Sequence, residues 1–141
     1  MTTTTQPDKQ ETTRRLAALR GNCMGAAVLL IIQFGLGMGI NLYVTLPKNK
    51  TFLSIVFSSA TVAAHVVVGV AILGAAVAAL VRAIRSRKVV VFASLGLAAV
   101  LVAWAAGSAF ASNQSNGASL GMALATAVAM FSYLAAVFSL R

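Results

Sequence analysis

Residues 54–88 read SIVFSSATVAAHVVVGVAILGAAVAALVRAIRSRK. The segment 55–81 carries no charge, and at about 1.5 Å rise per residue its roughly 27 residues reach ~40 Å as a helix, more than the ~30 Å hydrocarbon core of a bilayer. The run holds the only histidine of the chain, His65, and ends in a block of cations, Arg82, Arg85, Arg87 and Lys88. Short loops rich in Lys and Arg stay on the cytoplasmic side of a membrane, so the block also sets the direction of crossing.

The composition agrees. The chain has 141 residues, of which 60% are hydrophobic and 9% charged, far more apolar than a soluble domain. Its net charge of +9 would point to nucleic acid in a soluble protein. Here the eleven Lys and Arg gather at the ends of apolar runs, so their role is topological, with anionic lipid headgroups rather than nucleic acid as the charged partner. A single cysteine, Cys23, excludes an intramolecular disulfide. The two acids, Asp8 and Glu11, both precede the first apolar run, so no carboxylate lies in or beyond the membrane.

Outward from the central stretch, the reading predicts an all-α, up-down-up-down bundle of four transmembrane helices with a disordered N-terminal tail. Residues 1–21 form the cytoplasmic tail, Thr-rich and without apolar periodicity up to Thr13, then carrying Arg14, Arg15 and Arg20 around a short interfacial helix. Residues 22–141 form one domain with spans at about 22–46, 55–81, 89–111 and 120–140. Gly35 and Gly39 on the first span are spaced to let a neighbouring backbone approach, Tyr43 suits the outer headgroup level, and Pro47 ends the helix. Rows of small residues recur every four positions: Ala71, Ala75, Ala79 and Ala83, then Ala99, Ala103 and Gly107, then Gly117, Gly121, Ala125 and Ala129.

With both termini inside, Lys9, Arg14, Arg15, Arg20, Arg82, Arg85, Arg87, Lys88 and Arg141 are cytoplasmic and only Lys48 and Lys50 are external. This bias predicts a multi-pass protein of the plasma (inner) membrane.

The polar residues within the spans carry most of the local information. Gln33, Gly37 and Asn41 lie four apart on one face of the first span, and Thr61, His65 and Gly69 do so on the second, with Ser58 just beyond. Antiparallel pairing across a short outer loop sets Gln33 level with His65, Gly37 with Thr61 and Asn41 with Ser58. A polar seam of Gln33, Asn41, Ser58, Thr61 and His65 follows, because polar groups in hydrocarbon need partners. The plain reading of His65 is a hydrogen-bonded residue joining two helices, worth about 1 kcal/mol or less. The functional reading is a ligand-binding or proton-handling histidine.

The residue types limit the chemistry. Zinc needs three or four protein ligands, a Ser-His-Asp arrangement needs an acid, and proton-coupled antiport in small transporters relies on an intramembrane carboxylate. A b-type haem needs only one His and one Met in a four-helix bundle; Met38, Met122 and Met130 are available, Met130 expected nearest His65 in depth, with Gln33 orienting the histidine. The default is a non-enzymatic protein without cofactor, a structural or accessory subunit that packs through its small-residue faces in a homo-oligomer or larger membrane complex. The alternatives are a haem b- or quinone-associated redox or assembly protein using His65, and a small pore or transporter with Asn41, Thr61 and His65 on a wet path.

The runs IIQFGLGMGINLYVTLP, HVVVGVAILGAAVAALVRAIRSRK and GSAF resemble small four-span integral membrane proteins of actinobacteria, over most of the chain after Asn22. The resemblance implies the fold and the membrane location and brings no activity with it. Gln33-x-x-Leu36-Gly37 and His65-x-x-x-Gly69 also look like half of a haem A synthase bundle, although the fourth span has no histidine to complete such a pair.

Overall fold

The computed structural model describes residues 6–45 and 51–140. Pro47, Lys48, Lys50 and Arg141, which entered the reading of the helix stop and the charge bias, lie outside them. Helices α1 (Gln6–Tyr43), α3 (Ala60–Ser86), α4 (Val90–Asn113) and α5 (Asn116–Ser139) are each long and apolar enough to cross a membrane, and a short α2 (Phe52–Val56) lies between the first two. No strand occurs among the described residues. The fold is the expected all-α bundle of four long helices.

The N-terminal segment differs from expectation. Residues 6–13 and the arginine-flanked stretch after them are not a loose tail with a separate interfacial helix; they continue α1, whose 38 residues reach about 57 Å at 1.5 Å each. Low apolar content removes a reason to pack but not a reason to coil. Glu11 pairs with Arg15 one turn on, and Thr13 Oγ1 donates to the Lys9 carbonyl at 2.9 Å, so local side-chain pairs extend a helix already nucleated in the apolar segment.

Capping residues set the other boundaries. The second span begins at Ala60 rather than near residue 55, because Ser59 takes extended backbone angles (φ −153°, ψ 139°) and its Oγ accepts the Thr61 N–H at 3.2 Å. Ser58 turns its hydroxyl back to the Ile55 carbonyl at 2.6 Å and closes α2. At the far end Arg87 and Val89 adopt left-handed backbone (φ 54° and 51°), and Lys88 N–H donates to the Ala83 carbonyl at 3.2 Å, which turns the chain within three residues. Left-handed Gln114 and N-capping Ser115 join α4 to α5 in two residues, so the predicted loop 112–119 is mostly helix.

The four long helices close a ring in which α1 packs on α3 and α5, and α4 on α3 and α5. Large apolar side chains such as Ile31, Val67, Val91, Leu124 and Phe131 face outward, while the interior is built largely from alanine. This is the distribution expected when lipid rather than water surrounds the bundle: helix contact gains from close backbone approach, not from hiding apolar surface. The chain is a multi-pass membrane protein.

Packing is uneven along the axis. In the half next to the arginines, Leu19, Cys23 and Ala26 of α1 meet Ala76, Ala79 and Ala83 of α3, Ala93 and Val100 of α4, and Tyr133 and Ala136 of α5. Tyr133 is 0% exposed and lies over Gly96, where a β-carbon would come within 2.6 Å of its Cζ; only glycine lets the ring in. On α3 the buried row runs through Ile72, Ala76, Ala79 and Ala83, while Ala71 is exposed. Gly35 and Gly39 meet nothing within 4 Å and face away from the bundle. A polar clasp fastens this end: Asn22 Nδ2 donates to the Ala75 carbonyl at 2.8 Å, and Arg82 Nη1 donates to Asn22 Oδ1 at 3.2 Å and to the Ala18 carbonyl at 3.3 Å.

Candidate functional site

Away from the arginines the bundle opens around a polar contact. Gln33 of α1 and His65 of α3 project toward each other, and Gln33 Nε2 donates to His65 Nε2 at 3.1 Å. Two glycines make room for them. A β-carbon on Gly37 would lie 3.3 Å from His65 Cε1, and one on Gly69 would lie 3.2 Å from Gln33 Nε2 and 3.8 Å from the Trp104 ring. Each polar side chain therefore sits over a glycine of the facing helix, and the indole of α4 closes the third side.

Half of this polar surface has no partner. Gln33 Oε1 and His65 Nδ1 are both shielded from solvent, and neither makes a hydrogen bond among the described residues. With the amide as described, the imidazole proton sits on Nδ1, leaving an N–H without an acceptor and a carbonyl oxygen without a donor. With the amide turned over, His65 Nε2–H donates to Oε1, and an amide N–H and a bare Nδ1 are left instead. Either arrangement leaves one acceptor and at least one donor.

Gln33 and His65 line a cavity of about 190 Å³, from which Gln33 Oε1 and His65 Nδ1 are themselves shielded. Its inner end is Leu30, Ile72 and Val100, each buried, and it runs outward past Trp104 and Met122 to Asn41, Ile55 and Phe110. Among the described residues no Asp, Glu, Lys or Arg lines it. Phe34 and Met38 line the cavity while remaining 46% and 44% exposed, so it reaches the outer, lipid-facing surface. Among the described residues no cluster of His, Cys, Asp and Glu suits a metal ion.

The predicted seam is assembled in part. Gln33 meets His65, and Asn41 borders the same cavity, but Ser58 and Thr61 do not: Ser58 follows α2 and donates to the Ile55 carbonyl, and Thr61 lies in the first turn of α3. The register is one turn away from expectation, with His65 rather than Thr61 opposite Gly37, because α2 lengthens the connection. Met130 packs against the closed core and not the cavity, whose methionines are Met38 and Met122. Trp104 and Gly69 were not singled out as site residues beforehand. The signal available was the position of Gly69, one turn beyond His65 on the face that Gln33 needs.

Comparison of the chain with protein-family models, with curated proteins and with solved structures finds no match.

Proposed function

We propose that this protein is a non-enzymatic accessory protein of the plasma (inner) membrane that holds a small, lipid-soluble molecule bearing one hydrogen-bonding end. The observation that carries the reading is the cavity of about 190 Å³ itself, walled mostly by apolar side chains with Gln33, Asn41 and His65 among them and reaching the lipid-facing surface at Phe34 and Met38. The charge bias puts the arginine end in the cytoplasm, and with it the cavity in the outer half of the membrane.

The experiment is extraction in a lipid-preserving polymer followed by mass spectrometry of the small molecules retained. Wild-type protein is expected to carry a compound that Ala103→Leu and Ala123→Leu, which put side chains into the cavity from α4 and α5, release. Identical profiles for all three proteins would defeat the reading.

A second reading has its own observation. A β-carbon on Gly21, Gly25, Gly35 or Gly39 of α1 would meet nothing within 4 Å among the described residues, and with exposed Val28 and Ile32 these glycines follow a spacing of four and three residues along one face. That face supports the structural role, with α1 packing on another helix of an oligomer or complex. Cross-linking in native membranes through single cysteines on this face, in a Cys23→Ala background, tests it; absence of any linked product would remove its support.

A further inference from the structure

We propose that the arginine end of the bundle holds one anionic phospholipid, its phosphate taken by the guanidinium of Arg82 at the rim between α1 and α3. The inference stands apart from the cavity and its occupant.

Arg82 is held in one orientation by neutral groups. Its Nη1 donates to Asn22 Oδ1 at 3.2 Å and to the Ala18 carbonyl at 3.3 Å, and Asn22 is itself tied to the Ala75 carbonyl. The other edge of the guanidinium, Nε and Nη2, has no partner among the described residues, and the side chain is exposed. Two parallel N–H groups on one edge are the arrangement that takes two oxygens of a phosphate at once. The charge is unmatched as well: among the described residues the one ion pair joins Glu11 to Arg15, and none reaches Arg82.

Neighbouring cations add to this. The Asn22–Ala75 and Ala18–Arg82 contacts show α1 and α3 running antiparallel. Arg85, one turn further along α3, therefore comes level with Arg14, which lies one turn before Ala18 on the same side of α1. Guanidinium groups gathered on one rim repel one another unless an anion lies among them. The cation bias that orients the chain asks only that these charges lie at this end, not on one rim of it. Among the described residues α4 and α5 carry no Lys or Arg.

Depth decides for a lipid over a soluble phosphate. Asn22 and Tyr43 are separated by roughly 21 residues of α1, about 32 Å at 1.5 Å each, close to the ~30 Å hydrocarbon core. With Tyr43 at one boundary, Asn22 and Arg82 lie at the other, where lipid phosphates sit. Toward the membrane from Arg82, Val77 and Val81 are exposed and a β-carbon on Gly74 would meet nothing within 4 Å, which gives acyl chains an apolar surface to lie on.

The test is native mass spectrometry of the full chain in detergent, with equal amounts of phosphatidylglycerol and phosphatidylcholine bearing the same acyl chains. Phosphatidylcholine has the same phosphate but adds a cation that the rim repels, so wild type is expected to retain one phosphatidylglycerol with about tenfold preference, the scale on which one charged contact acts. Arg82→Gln should lose that preference. Arg20→Gln, which removes an equal charge from the opposite face of α1, should keep it. Arg85 lies outside the clasp, so Arg85→Gln should lower the preference at wild-type helicity even where Arg82→Gln fails to fold. No preference in wild type, or equal losses in Arg20→Gln and in the Arg82 and Arg85 variants, would overturn the site in favour of a diffuse field. Displacement of the lipid by an equal concentration of glycerol 3-phosphate would overturn the lipid and make the occupant a soluble phosphate.

Discussion

Replacing Gln33 and His65 by leucine, singly and together, separates a structural contact from a binding one. In wild type the two side chains make one interhelical hydrogen bond and leave two buried atoms without partners. His65→Leu removes that bond and leaves both ends of the Gln33 amide unmet; Gln33→Leu does the same to the imidazole. Interhelical hydrogen bonds in membranes average about 0.6 kcal/mol and reach ~1.7, and a stranded buried polar group costs about 1–3 kcal/mol in soluble proteins. Each single change is therefore expected to destabilise by about 1 kcal/mol. The double variant removes every polar atom of the contact, including the two already unpaired, and leucine fits the space that Gly37 and Gly69 leave. It should be at least as stable as wild type, giving a coupling energy of about 2 kcal/mol. The assay is SDS titration in mild micelles, followed by far-ultraviolet circular dichroism and by the emission of Trp104, the sole tryptophan of the chain, which sits beside Gly69. Additivity of the two single effects within about 0.5 kcal/mol would refute the reasoning, since side chains that do not interact add.

The other predictions use the same titration or simple optical and protease assays. Gly96→Ala puts a β-carbon 2.6 Å from the Tyr133 ring and should cost about 3 kcal/mol, whereas Tyr133→Phe, which deletes a buried hydroxyl without a partner, should be neutral or slightly stabilising; a harmless Gly96→Ala would contradict the packing of α4 on α5. Asn22→Leu breaks the link between the Ala75 carbonyl and Arg82 and should cost about 1 kcal/mol, so an unchanged midpoint would remove the clasp. Purified protein should show no Soret band; one that disappears in His65→Ala would restore the haem b alternative. A protease tag at either terminus should be cut in inverted membrane vesicles and protected in intact cells, and the reverse pattern would defeat the orientation.

The bundle was legible because its signal is coarse. Long uncharged runs and clustered cations state four helices and their order almost without reference to detail, and the described helices follow them. The approach of Gln33 to His65 was legible too, since few groups in these spans need hydrogen-bond partners. What escaped depends on local competition. Ser59 and Ser58 draw backbone hydrogen bonds to themselves and split the second apolar run into α2 and α3, and the longer connection moves the register by a turn. Gly96 and Tyr133 lie level across the tight α4–α5 turn, but nothing in the run of small residues on α4 marks Gly96 as the one that a ring covers. Gly35 and Gly39 carry a packing motif that the bundle leaves unused, whereas Gly37 between them is the close approach. Trp104 has no pattern that marks it as a cavity wall rather than a lipid-facing anchor.

The contact at the centre of the account is open to direct observation, because the chain contains one histidine. Solid-state NMR of protein in lipid bilayers, labelled with ¹⁵N at histidine and at glutamine side chains, should show a through-space correlation between one imidazole nitrogen and the Gln33 amide and no protein partner for the other nitrogen. An imidazole without any contact to a glutamine amide, or one with both nitrogens bonded to protein groups, would contradict it.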